Sequence, residues 1–171
     1  MSAVIIYFSR TGENYINGRK QMVTIGNTAI LAEKISSQLA ISAYQLSPRI
    51  PYSDNYDEAV QAAENEKNAA ARVDYEELPI DLSQVDTIFL GFPNWWGTYP
   101  RVVATFLDDH NWENKTIYPF CTHEGSAFGS SIQDLQEECV GAEIKTGLAV
   151  RGSKAAQSDT AIKNWLLSYL K

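Results

Sequence analysis

The chain is short of cysteine, of basic residues and of long apolar runs, and each shortage removes a class of function. Its two cysteines, Cys121 and Cys139, are too few for a disulfide framework and too isolated for a metal-binding motif. They read as small buried side chains in a reducing compartment, and no metal is expected. The 14 Lys and Arg against 21 Asp and Glu leave a net charge of −7. The basic face demanded by a phosphate backbone is therefore missing, and nucleic acid is not expected as a partner. Acidity suits electrostatic steering toward a basic protein instead. No stretch approaches the roughly 20 apolar residues that span a bilayer. The N-terminus has neither the basic lead nor the cleavage site of a secretory signal, so a cytoplasmic protein with no membrane partner is expected. Internal repeats and low-complexity linkers are also lacking.

What remains is an alternation. At 171 residues and 44% hydrophobic, the chain suits one globular domain over residues 1–171, large enough to bury a sizeable core. Residues 3–8 form a continuous β-branched and aromatic run, the pattern of a strand covered on both faces. Residues 28–39 set Ile30, Leu31, Ile35 and Leu39 at helical spacing. A short strand at 43–46, an Ala-rich charged helix at 56–72 and a buried strand at 87–92 follow. Pro100 opens a helix to Leu107, its missing N–H harmless in the first turn. Strand 117–121, helix 132–140, strand 143–150 and helix 160–170 complete the series. Strands alternating with helices predict an α/β fold with a parallel sheet and helices on both faces. Ligands of such sheets lie beyond the carboxyl ends of the strands, near the switch point of the topology.

Three loops at that edge are unusual. The first reads Ser9-Arg10-Thr11-Gly12-Glu13-Asn14. Its hydroxyls and N–H groups suit a phosphate, aided by the positive end of the next helix, and it reads equally as a polar turn. It is neither a Walker A loop nor GxGxxG. The second, Pro93-Asn94-Trp95-Trp96-Gly97-Thr98-Tyr99-Pro100, carries aromatics beyond the needs of turn chemistry. Such rings fill a core crevice or stack on a ligand, and adjacent residues rarely both point inward, which favours a ligand for at least one tryptophan. The third, Thr122-His123-Glu124-Gly125-Ser126-Ala127-Phe128-Gly129, is rich in glycine and hydroxyls, allowing close approach of backbone to a planar molecule. A lone loop histidine such as His123 more often packs or hydrogen-bonds than catalyses, and no Ser-His-Asp set accompanies it. A phosphate cradle, an aromatic wall and a glycine wall describe a site for a flat heterocycle with a phosphate. FMN fits that description better than AMP.

These residues resemble the flavodoxin family, most closely its bacterial branch with YFSRTG at the first strand and PxWWGxxPxxV after the third. The resemblance implies a doubly wound, flavodoxin-like five-stranded parallel sheet in order 2-1-3-4-5, with FMN held noncovalently at its carboxyl edge. It implies that Ser9, Arg10, Thr11 and Gly12 hold the phosphate. It places Pro93, Asn94, Trp95, Trp96 and Gly97 on one side of the isoalloxazine. Thr122, His123, Glu124, Gly125, Ser126 and Gly129 stand on the other. One departure concerns the phosphate loop, which in the family runs straight into its helix as S-x-T-G-N-T. Here about residues 13–26 intervene before Asn27 and Thr28, so an insertion is expected, with Asn27 and Thr28 returning as helix cap and phosphate ligands. Asn17-Gly18 within it is a hairpin dipeptide, which predicts a small flap over residues 15–23. Asn14 competes with Asn27 for the ligand role. A second departure is the neutral Trp96-Gly97-Thr98 stretch, where flavodoxins often carry acids.

Three functional classes follow. An electron carrier would pass electrons between redox partner proteins. An FMN-dependent NAD(P)H:quinone-type oxidoreductase would turn over small molecules. A non-redox receiver module would need acids after the first strand and an Asp after the third, which this chain lacks. The missing nicotinamide site favours the carrier.

Overall fold

The computed structural model describes residues 2–171; Met1 lies outside them. In chain order the elements begin with β1 (Ala3–Tyr7), β2 (Gly12–Ile16), β3 (Arg19–Val23), α1 (Asn27–Leu39), β4 (Ala43–Gln45) and α2 (Tyr56–Asn68). There follow β5 (Thr87–Pro93), α3 (Arg101–Asp108), β6 (Thr116–His123), α4 (Ser131–Glu138), β7 (Glu143–Ile144), β8 (Leu148–Arg151) and α5 (Asp159–Leu170). The sheet order is β4-β1-β5-β6-β7, with β8 also on β6 and every pairing parallel. Counting sheet strands alone, this is the flavodoxin-like order 2-1-3-4-5.

Period-two alternation divides the buried strands between two cores. Ile5, Phe89 and Phe120 face α1 and α5, meeting Leu31, Ile35, Ile162 and Leu166. Ile6, Ile88, Leu90 and Phe92 face the opposite way, against Val102, Val103 and Phe106 of α3 and Leu135 of α4.

Two elements depart from the sequence reading. The fifth strand, expected as one piece over 143–150, is broken into β7 and β8. Ile117 pairs with Ile144, and Phe120 pairs with Leu148, so three steps along β6 face four on its neighbour. Pro119 explains the slip. The Ile117 carbonyl accepts the Lys145 N–H at 2.9 Å on that side; Pro119, two residues on, faces the same way with no N–H to give. The extra residue is accommodated at Gly147, where a Cβ would lie 2.5 Å from the Phe128 ring. The second departure is α2, which stops at Asn68 instead of reaching Arg72. Ala70 turns left-handed at φ 44, and Arg101 of α3 takes the carbonyls of Ala70 and Ala71. A tertiary partner thus ends an Ala-rich run that propensity alone would extend.

The flap expected over residues 15–23 is a hairpin that already begins at Gly12 and ends at Val23. β2 and β3 pair antiparallel around Asn17 and Gly18, at φ 52 and 81, the left-handed pair of a type I′ turn.

Candidate functional site

The chain leaves β1 toward β4 and returns on the other side to β5, so the loop ends of β1, β5 and β6 diverge at the switch point. They enclose a cleft of about 480 Å³. Ser9 and Arg10 line it from the first loop, and Asn27 and Thr28 from the start of α1. Pro93, Asn94 and Trp95 come from the loop after β5, and Thr122, His123, Glu124, Gly125 and Ser126 from the end of β6.

Five residues expected there lie outside that lining. Thr11 faces a separate hollow with Gln45 and Tyr52. Gly12, at φ 92, opens the hairpin against Asp54. Trp96 and Gly97, at φ 57 and 86, form a tight turn closed by the Trp95 N–H on the Thr98 carbonyl at 2.8 Å. Trp96 leans over α2, its Nε1 donating to the Val60 carbonyl at 3.2 Å. Gly97 gives its carbonyl to the Ser130 N–H at 2.7 Å, and Gly129 packs so closely on Gly97 that a Cβ there would overlap it. These two glycines join loops rather than face the cleft.

At one end the cleft is built for an anion. The N-cap of α1 is Gly26, with Asn27 as the first helical residue, correcting the expectation that Asn27 caps. A Cβ at Gly26 would overlap Ser9 Oγ and lie 2.6 Å from the Arg10 carbonyl, so only glycine lets the helix approach the loop. Ser9 Oγ does the capping, accepting the Ala29 N–H at 3.1 Å. Thr28 Oγ1 and Thr122 Oγ1 share a buried hydrogen bond of 2.8 Å. Among the described residues, the Asn27 amide and the backbone N–H groups of Asn27 and Thr28 have no acceptor. Unspent donors at a helix N-terminus are an anion site. Asn14 also lines the cleft, but its amide is spent, accepting from Arg10 Nη1 at 2.8 Å and donating to the Arg10 carbonyl at 2.9 Å.

Arg10 is committed to the flap. Its guanidinium donates to the carbonyls of Glu13 and Ser53 as well as to Asn14. Burial lowers its pKa, opposed by Asp54 and Glu13. Its buried Nε has no acceptor among the described residues.

The other end is aromatic. Trp95 is held edge-on by Phe8 at 5.2 Å and Tyr52 at 5.1 Å between ring centroids. Tyr15 and Tyr56, 5.9 Å apart, complete the lining, and the sequence reading missed both as site residues. The Asn17-Gly18 turn signalled the flap that brings Tyr15. Tyr56 carried no signal: it starts α2, and Glu13 of the flap accepts its N–H at 3.0 Å. The flap tip reaches the third loop, with the Asn17 N–H directed at Glu124 Oε2 at 3.4 Å.

His123 Nδ1 accepts the Gly125 N–H at 2.9 Å, which leaves the proton of the neutral ring on Nε2. Burial, and then Arg151, lower its pKa. Although Trp96-Gly97-Thr98 is neutral, acids come from elsewhere. Glu124 lines the cleft, and Thr98 and Ser130 both donate to Asp134. Among the described residues no group of three or more His, Cys, Asp or Glu is placed to hold a metal ion, and no helix is long and apolar enough to cross a membrane.

A family model described as flavodoxin matches residues 20–169. The chain belongs to the flavodoxin family. The match begins inside the flap, so the Ser9–Gly12 loop of this flavodoxin precedes it. Among solved structures, a provisionally named flavoprotein from Bacteroides eggerthii DSM 20697 is 25% identical, covering 99% of this chain and 98% of its own, with a TM-score of 0.75. A flavoprotein from Lactobacillus acidophilus NCFM in complex with FMN is 19% identical over 96% and 97%, with a TM-score of 0.66. Fusobacterium nucleatum flavodoxin bound to flavin mononucleotide shares the fold at 12% identity over 99% and 98%, with a TM-score of 0.55. None of the curated proteins compared with it matches.

Proposed function

We propose that this flavodoxin binds FMN in the cleft and carries electrons between redox partner proteins. The observation that carries the reading is the pairing, in one cleft at the switch point, of unspent donors at the N-terminus of α1 with a locked indole. The residues fit the group. The N–H groups of Asn27 and Thr28, the Asn27 amide and the Ser9 hydroxyl would hold the phosphate dianion, without a cation but with the helix dipole. Trp95 would cover the isoalloxazine, and its edge contacts with Phe8 and Tyr52 fix the ring before any ligand arrives. His123 Nε2–H and the backbone of Gly125 would face the ring's polar edge. Bound there, FMN supplies the reversible electron uptake that no side chain here offers. Tyr15 of the flap and residues 122–126 of the third loop would flank it.

The test is direct. Protein reconstituted with flavin and then heat-denatured should release a cofactor that runs with FMN. Release of FAD, or failure of every flavin to bind, overturns the reading.

A further inference from the structure

Of the four tryptophans, three are fixed by their own indole N–H. Trp96 donates to the Val60 carbonyl at 3.2 Å, Trp112 to that of Leu107 at 2.7 Å and Trp165 to that of Thr146 at 2.8 Å. Trp95 Nε1 has no acceptor among the described residues. The angle of its ring therefore rests on the edges of Phe8 and Tyr52. Phe8 is itself locked in the core, directly after β1. Tyr52 is only half-buried, in a stretch between β4 and α2 that is neither helix nor strand, so its ring needs a tie of its own. That tie is Glu66 of α2, whose Oε1 accepts the Tyr52 hydroxyl at 2.6 Å. Burial, and then the Glu66 bond, push the phenol's pKa up, so Tyr52 stays the donor. The helix explains where Glu66 stands. Ala59, Ala63 and Glu66 recur at i, i+4 and i+7 on one face, and Ala63, Glu66 and Trp95 line a crevice together with Lys67, Tyr99 and Arg101. Burial raises the Glu66 pKa, opposed by the Tyr52 bond and by Arg101.

We propose that Glu66 is a positioning residue for the flavin, holding the Trp95 indole at its angle through the hydroxyl of Tyr52. Neither Glu66 nor Tyr52 lines the cleft, so both act on a ligand only through the indole. A hydrogen bond to a carboxylate is about twice as strong as a neutral one, which suits a tie that must hold a loop tyrosine still. A ring fixed in advance spares the ordering that binding otherwise requires, a factor of about two to ten in affinity for one side chain. The inference deepens the flavin reading and rests on it for the affinity measurements alone, since the order of the indole is read without flavin.

The experiment measures indole N–H order parameters in flavin-free protein, with Trp112 as the internal reference. In the wild type Trp95 should be as rigid as Trp112, at about 0.85. Glu66→Ala and Tyr52→Phe, the second keeping the ring that touches Trp95, should each lower Trp95 below about 0.6 and leave Trp112 unchanged. Glu66→Gln, which keeps an acceptor, should stay near the wild-type value. Glu66→Ala should then weaken FMN and riboflavin by the same factor, about fivefold, because the tie serves the ring and not the phosphate. The double variant should lose no more than either single one, as expected of two residues that act through one bond. A Trp95 order parameter unchanged in Glu66→Ala, a Glu66→Gln variant as loose as Glu66→Ala, a loosened indole with unchanged flavin affinity, a loss confined to FMN, or additive losses in the double variant each overturn the proposal. Failure of the wild-type protein to bind any flavin overturns the flavin reading instead, and with it the flavin role of Glu66, while the order parameters still decide whether Glu66 sets the indole.

Discussion

Ser9 and Asn27 sit on neighbouring segments of the same cradle, yet their side chains stand in different accounts. Ser9 Oγ accepts the Ala29 N–H and keeps its own proton for a ligand, so Ser9→Ala should cost about 1 kcal/mol of stability and about tenfold in FMN affinity. Asn27→Ala should weaken FMN comparably and leave stability nearly unchanged, because its amide makes no hydrogen bond among the described residues. Riboflavin, lacking the phosphate, should respond far less to either change; equal losses for both ligands would place the phosphate elsewhere. His123 offers a pH test. Its folded-state pKa lies below the ordinary value, so as pH falls through about 6.5 the unfolded chain takes up the proton first. Stability should therefore fall on the acid side of that point until the folded ring also titrates, and be unaffected above it. NMR titration should give a midpoint below about 6.5, and His123→Asn should flatten that part of the urea-stability profile. Ser9, Asn27, Trp95 and the 122–126 run were legible because polar and aromatic side chains stood in loops directly after buried strands. Tyr56 was not, because its place depends on Glu13, 43 residues away.

Glycines separate the elements that touch from those that merely turn. Gly26 seats the first turn of α1 on the Ser9-Arg10 loop, and a methyl group there has no room. Gly97 turns at φ 86 with nothing within 4 Å of a would-be Cβ. Gly97→Ala should cost about 1 kcal/mol, the strain of left-handed backbone alone. Gly26→Ala should cost more, about 2 kcal/mol or above, since overpacking must push helix and loop apart, and FMN affinity should fall with it. Urea midpoints of the two variants decide the order; equal losses would mean that α1 does not depend on that close approach. The elements most legible in the sequence were the buried runs and the Asn17-Gly18 hairpin, whose signals are local. The break in the fifth strand was hidden, because its cause, Pro119, lies on the neighbouring strand. The end of α2 was hidden too, since Arg101 supplies it from α3.

On the scale of the whole molecule, one core screens both sulfurs from solvent, that of Cys121 on β6 and that of Cys139 at the end of α4. Cys121 and Cys139 lie in one core with exposures of 0% and 1%, and burial pushes each thiol up to about 12. Thiolates, not thiols, react, so Ellman's reagent should label neither residue in the native protein. Labelling should begin only with global opening and give the same free energy as urea unfolding; faster reaction would reveal a local opening, of the sheet at Cys121 or of the end of α4 at Cys139. The parallel sheet with helices on both faces was legible at this scale from the alternation of strands and helices, whereas its order 2-1-3-4-5 came only with the resemblance to the flavodoxins.

The flap leaves the core at Gly12 and comes back at Val23, and these two residues are ladder partners. Its two ends are thus separated by one strand spacing, about 5 Å, whatever lies between them. The segment is a closed detour in the chain. Its turn at Gly18 projects into open space, with nothing within 4 Å of a Cβ. A peptide tag or a whole reporter domain can accordingly be grafted between Asn17 and Gly18 without altering the distance the chain must bridge from β1 to α1.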